Sequence, residues 1–216
     1  MTTDPFAHQH LHLTDPASWY EAIYTGARGD ASNVPWAKMS VTPVLANWPE
    51  HHHPGSSGKR VLVVGCGLGD DAEALVRHVL GVTAFDISPR AIVWCRERFP
   101  QSRVDYRVTD LLHPPSGFRH AFDFVFEART IQSLPPDFHP GALSAVADFV
   151  APAGTLLLFC LGRESGEASD SHACPLAKTE LDILQRHGLT EVSFKDWDTE
   201  ESRRYLAEYT RETAVG

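Results

Sequence analysis

From Arg60 onward, short continuous apolar runs alternate with stretches whose apolar residues recur every three or four positions. That alternation predicts buried parallel strands joined by helices on both faces of a sheet. Val61 to Val64 is a run of strand length, and Asp70 to Val79 follows as a helix with Ala72, Leu75, Val76 and Val79 on one side. Val82 to Phe85 is the next expected strand, and Ser88 with Pro89 opens the next helix as a cap followed by a first-turn proline. Further strands are expected at Val104 to Val108, Phe122 to Phe126 and Thr155 to Leu161, with a helix at Gly141 to Val150. A helix at Lys178 to His187 stops at Gly188. Glu191 to Trp197 and Arg204 to Thr210 then lie so close together, across Asp198 to Ser202, that they predict an antiparallel hairpin. The sum is an α/β fold: a doubly wound, mostly parallel seven-stranded sheet with an antiparallel C-terminal edge hairpin.

The chain before Arg60 is patterned differently. Residues 1 to about 16 are polar, His-rich and without period, which predicts a loose tail or an arm that orders over a ligand. Ser18 is placed to cap a short helix carrying Trp19, Ile23 and Tyr24; a second helix is expected from Pro35 to Trp48 after the turn-rich Gly26 to Asn33. The Pro, His, Gly and Ser of Trp48 to Lys59 separate this arm, residues 1–50, from a ligand-binding domain, residues 51–216.

Charge and composition narrow the partners. The 28 acidic and 19 basic residues leave a formal charge of −9, which argues against nucleic acid. No apolar run is long enough for a membrane span, and the first thirty residues lack a secretory core, so a cytoplasmic protein is expected. Cys66, Cys95, Cys160 and Cys174 have no paired spacing and are expected as thiols. No functional metal is expected from the twelve histidines: His51, His52 and His53 are adjacent, so their side chains diverge.

The candidate chemistry lies at the first strand-to-helix turn. Gly65, Gly67 and Gly69 flank Cys66 and Leu68 there, where missing side chains let backbone approach a ligand. Asp86, at the end of the next strand, is placed to accept two ribose hydroxyls. A dinucleotide fingerprint requires glycine where this chain has Asp70, followed by Asp71. Two carboxylates in the first helical turn repel a pyrophosphate and tolerate an ammonium and a sulfonium.

The runs VLVVGCGLGDDAEAL and TAFDISPRAI resemble the first two motifs of class I S-adenosylmethionine-dependent methyltransferases, and the order of elements agrees from about Arg60 to the C-terminus. The resemblance implies a Rossmann-like methyltransferase fold, S-adenosyl-L-methionine as cofactor and a small-molecule methyl acceptor. By position it implies Gly65, Cys66, Gly67 and Gly69 around the methionine and ribose, Asp86 on the ribose hydroxyls and Ile87 against adenine. In VTDLLH it implies Asp110 near the adenine amine and Leu111 against the base; in FDFVFEARTIQSLPP it implies Glu127 beside the methionine portion. Pro152, Ala153 and Gly154 stand where the family has Pro-Gly-Gly. VPWAKMSVTPVL is similar to the Pro-Trp motif of the thiopurine S-methyltransferase-like branch, and HACPLAKTEL to a proline-rich segment of related enzymes. Trp36 would then lie over the cofactor or anchor the N-terminal helix, and Ala37 departs from the branch's aspartate.

Methyl transfer from a sulfonium is an in-line displacement that depends on positioning in a dry pocket. A thiol supplies its own thiolate near neutral pH, which slightly favours S-methylation of a thiol-like acceptor. His113 and His139, after the third and fourth strands, are the candidate bases or else ordinary loop histidines, and no catalytic residue is assigned. Arg129 and Gln132 are placed either to touch an anionic or polar acceptor or to lie solvated in a loop. A nicotinamide-dependent oxidoreductase and a non-catalytic S-adenosylmethionine-binding module are the competing readings, and a monomer or weak homodimer is expected.

Overall fold

The computed structural model describes residues 15–46, 58–78, 81–166 and 173–213. The N-terminal tail, the end of the helix expected to reach Trp48, the three adjacent histidines, most of the linker at 48–59 and Val79 lie outside the described residues. Among the described residues no helix is long and apolar enough to cross a membrane.

The strands are β1 (Arg60–Val64), β2 (Gly81–Asp86), β3 (Asp105–Val108), β4 (Phe122–Ala128), β5 (Val150–Arg163), β6 (Leu176–Ala177), β7 (Leu189–Asp198) and β8 (Arg203–Arg211). The helices are α1 (Pro16–Gly26), α2 (Pro43–Ala46), α3 (Asp70–Leu75), α4 (Pro89–Arg98), α5 (His139–Phe149) and α6 (Asp182–Arg186). The sheet order is β3-β2-β1-β4-β5-β8-β7, with β6 paired to β5 off this path. Strands β3 through β5 are parallel, and β8 runs antiparallel between β5 and β7. This is the expected mixed sheet; the two-residue β6 is an addition.

Alternate residues of the central strands feed two cores, because successive strand side chains point to opposite faces. Val61, Val63, Phe124, Phe126 and Leu157 pack with Ala72 and Leu75 of α3 and Ile92 and Cys95 of α4. Leu62, Val64, Val125, Leu156 and Leu158 pack with Leu143 and Val146 of α5 and Leu184 of α6. A third cluster, Tyr24, Ala27, Val34, Leu68, Ala91 and Trp94, fastens the arm to α4.

The arm departs from expectation in two places. Asp15, not Ser18, caps α1, accepting the Ser18 amide at 3.2 Å. Among the described residues, the helix expected from Pro35 is present only at Pro43–Ala46. Pro43 disfavours helical backbone at Thr42, and the Thr42 amide is taken by the Asp71 carboxylate at 2.7 Å.

Candidate functional site

Strand order reverses between β1 and β4, and their connections leave on opposite faces, so a crevice opens at the strands' C-terminal ends. A cleft of about 1340 Å³ occupies it. That is larger than a pocket for one drug-sized ligand and has room for two reactants.

The floor is the turn after β1. Gly65 has φ +57°, and a Cβ there would lie 2.2 Å from Thr130 Oγ1, so both backbone conformation and packing require glycine. The Gly67 amide donates to Asp86 Oδ2 at 3.0 Å, and the Ser88 amide to Asp86 Oδ1 at 3.0 Å. Asp86 is thereby held at the cleft wall with 8% of its surface exposed, and burial pushes its pKa up to about 6. Ile87 and Leu111 line the cleft beside it. Asp110 also lines it; one oxygen accepts the Leu112 amide at 2.8 Å and the other meets His113 Nδ1 at 2.7 Å. Asp70 pairs with Arg98 at 2.9 Å, so its charge is compensated.

The arm forms the opposite wall. Trp36 Nε1 donates to the Tyr24 hydroxyl at 2.8 Å, and that hydroxyl stands over Gly67. Trp36 also packs on Trp19, Tyr20 and Tyr24 with ring centroids 5.5 to 5.8 Å away. Trp36 anchors the arm and lines the cleft. The Tyr20 hydroxyl donates to the Ser133 carbonyl, while Glu21 accepts the Ser88 hydroxyl at 2.5 Å and the Arg90 amide at 3.0 Å.

Of the residues expected around a cofactor, Trp36, Gly65, Cys66, Gly67, Asp86, Ile87, Asp110 and Leu111 line the cleft. Gly69 and Glu127 do not. A Cβ at Gly69 would lie 2.6 Å from the Tyr106 hydroxyl and 3.2 Å from Cys95 Sγ, so packing beneath the turn demands that glycine. Glu127 points to the α5 face of β4. There Oε1 accepts the Thr130 and Ile131 amides at 2.7 and 3.1 Å, and Oε2 has no hydrogen-bond partner among the described residues. It fixes the loop after β4.

The candidate bases separate as clearly. His139 is buried, with one nitrogen on the Leu134 carbonyl at 3.0 Å and the other on Glu180 at 2.9 Å, so neither nitrogen is free. The His113 side chain is 83% exposed at the rim. Gln132 joins the wall by tying Leu161 and Cys174 together through its side-chain and main-chain oxygens. Sequence reasoning missed Tyr20, Lys38 and Arg204 in the cleft, and Glu21 beneath the arm. Only the aromatic spacing of Trp19, Tyr20 and Tyr24 carried a signal, because Lys38 and Arg204 reach the cleft through tertiary packing.

Residues 61–154, which include β1 through the start of β5, match the family model for a methyltransferase domain. A ubiquinone biosynthesis O-methyltransferase of Xanthomonas campestris pv. campestris strain B100 is 34% identical over 108 residues, covering 49% of this chain and 44% of that protein. A magnesium-protoporphyrin O-methyltransferase of Rhodobacter capsulatus is 30% identical over 144 residues, covering 61% of this chain and 62% of that protein. The chain thus spans about half the length of the curated relatives it matches. The magnesium protoporphyrin IX methyltransferase of Synechocystis PCC 6803, solved with bound S-adenosylhomocysteine, superposes with TM-score 0.69 at 15% identity, covering 90% of this chain and 99% of that one.

Proposed function

We propose that the chain, whose residues 61–154 match the family model for a methyltransferase domain, is a class I methyltransferase that binds S-adenosylmethionine in the cleft and transfers its methyl group to a small molecule. The observation that carries this reading is Asp86: a buried carboxylate at the end of β2, held by the amide of the glycine turn and facing the cleft. When bound, the cofactor supplies a methyl group on a sulfonium. The protein's own part is to hold and to dry. Asp86 accepts the two hydroxyls of a ribose, and the Gly65 to Gly67 backbone lets the donor approach closely. Ile87 and Leu111 offer apolar contact to a flat base, and Tyr20, Tyr24 and Trp36 keep water from the reacting end.

The same inventory bears on the acceptor. His139 is committed to hydrogen bonds, and burial raises the Tyr20 and Tyr24 hydroxyls out of useful range, so among the described residues the cleft presents no strong interior base. Acceptors that ionise by themselves near neutral pH fit best: a thiol slightly ahead, with acidic phenols or enols next. The O-methyltransferase names of the curated relatives support the oxygen members of that set. Support for the thiopurine S-methyltransferase-like branch is limited to Trp36, which lines the cleft. A nicotinamide dinucleotide is disfavoured because Asp71, which lines the cleft and among the described residues is bonded only to the neutral Thr42, stands in the first turn of α3, where its diphosphate would lie.

The test is calorimetric titration with S-adenosylhomocysteine and with NAD, on the wild type and Asp86→Asn. Hydroxyl donors favour the ionised carboxylate, so protons compete with the ligand below the free pKa of about 6. S-adenosylhomocysteine affinity should be flat above neutral pH and fall by up to about tenfold per unit below pH 6. Asp86→Asn should bind about 10- to 100-fold more weakly and lose that pH dependence. NAD binding in preference to the thioether ligand would refute the reading, and cofactor binding without turnover of any acceptor would leave only a binding module.

A further inference from the structure

The cleft of this acidic protein carries two guanidinium groups, those of Arg129 and Arg204, that have no hydrogen bond or ion pair among the described residues. Arg129 follows β4 with φ +65°, a left-handed backbone that glycine would adopt freely. The turn is fixed from both sides: the Arg129 amide donates to the Phe159 carbonyl at 2.9 Å, and the Ser133 hydroxyl donates to the Arg129 carbonyl at 2.7 Å. An arginine in that strained position is thereby directed over the Phe159 ring, 5.8 Å from its centroid, at the cleft wall. Its guanidinium is partly buried, and among the described residues it has no hydrogen bond or ion pair.

Arg204 lies opposite Leu161 on β5 and Trp197 on β7, lines the same cleft, and likewise has no such partner among the described residues. Burial lowers the pKa of Arg129, the Asp71 carboxylate raises it and the Arg204 charge lowers it, so the guanidinium lies within electrostatic reach of both. The neighbouring acids are already engaged. Asp71 accepts the Thr42 amide and hydroxyl at 2.7 and 2.8 Å and offsets Arg129 only from a distance. Glu164 and Asp196 pair with Arg203, and Asp70 with Arg98. Asp198 and Glu201 are exposed at the hairpin turn.

Two partly buried guanidiniums that face one cleft and have no ion-paired acid among the described residues make a site that an anion completes. The planar fork of arginine suits a carboxylate, which takes two parallel N–H bonds. Thr130, the next residue, touches Gly65, so the pair stands at the reacting end of the cleft and not beside Ile87 and Leu111. Building on the methyltransferase reading, we infer that Arg129 and Arg204 bind a carboxylate on the methyl acceptor, which makes the substrate class an acidic small molecule. A carboxylate at that end has a second source, the amino-acid portion of the donor itself, and the experiment separates the two.

Protein saturated with S-adenosylhomocysteine would be titrated by calorimetry with aromatic carboxylates, each paired with its neutral amide. Suitable pairs are benzoate with benzamide, 4-hydroxybenzoate with its amide and 2-mercaptobenzoate with its amide. At least one acid should bind about tenfold or more tightly than its amide in the wild type. That preference should fall about tenfold in Arg129→Gln and in Arg204→Gln, with an intermediate loss in Arg129→Lys, which keeps charge without the fork. Affinities for S-adenosylhomocysteine and for 5′-methylthioadenosine, which lacks the carboxylate, should be unchanged in these variants and so report an intact site. An acid-to-amide ratio near one throughout, or one that survives in the variants, overturns the inference. Weaker S-adenosylhomocysteine binding with unchanged 5′-methylthioadenosine binding assigns the pair to the donor and overturns it too. Wild-type protein that binds neither nucleoside refutes the methyltransferase reading itself.

Discussion

Glu127 shows how one side chain supports the site without entering it. Its Oε1 gathers the Thr130 and Ile131 amides, while Oε2 is buried with no hydrogen-bond partner among the described residues. Burial pushes its pKa from 4.5 up to about 7. Between those two values the folded protein holds a proton that the unfolded chain has lost, so stability falls as pH rises through the window. Above pH 7 the cost of the charge is fully present, on the order of 3 kcal/mol. Glu127→Gln keeps an acceptor for the two amides and removes the charge. Urea unfolding should find the variant close to wild type at pH 5 and more stable by about 1–3 kcal/mol at pH 8. Parallel stability curves for the two proteins would show that the carboxylate is already relieved by a neighbour. The side of β4 that this residue takes was not legible from the chain. Phe122, Phe124, Val125 and Phe126 are apolar on both faces, so no alternation marks which way residue 127 points.

At the scale of elements, the buried strands were the most legible part, because a continuous apolar run between glycine or proline boundaries has few other uses. The arm was the least legible, since its conformation is decided by what it docks against. Thr42 is drawn to Asp71, which competes with the helix that Pro35 was expected to open. α1 is fastened to α4 by Glu21, whose carboxylate accepts the Arg90 amide in that helix's first turn and the hydroxyl of its capping Ser88. The contact supplements an N-cap, and its removal leaves an orphan donor at the helix end. Glu21→Ala should therefore cost about 1 kcal/mol. Amide exchange measured by mass spectrometry should accelerate in peptides covering residues 16–26 and 89–98 and remain unchanged in the outer hairpin strand β7. Acceleration confined to α1, with α4 untouched, would mean that Glu21 only decorates the arm.

At the scale of the molecule, the expected alternation of strands and helices placed the crevice correctly, while the partners that close it were settled only by topology. The spacing of Glu191 to Trp197 and Arg204 to Thr210 announced a hairpin; that β8 inserts between β5 and β7, carrying Arg204 to the cleft, is a property of the whole sheet. The cleft thus lies where three bodies meet: the sheet with its two cores, the aromatic arm and the base of the hairpin. A ligand seated there binds the folded chain alone, and at about 100 times its dissociation constant S-adenosylhomocysteine should raise the unfolding free energy by about 2.7 kcal/mol. Local exchange should register where that free energy acts. The arm opens by detaching from the cleft, so its amides at residues 16–46, together with the turn at 65–70, should gain protection. The outer-edge amides of β7 have no ladder partner in the sheet and should exchange as before. If ligand raised the unfolding free energy yet left the arm's exchange untouched, the aromatic wall would be a fixed part of the fold, and access to the cleft would have to come through another segment.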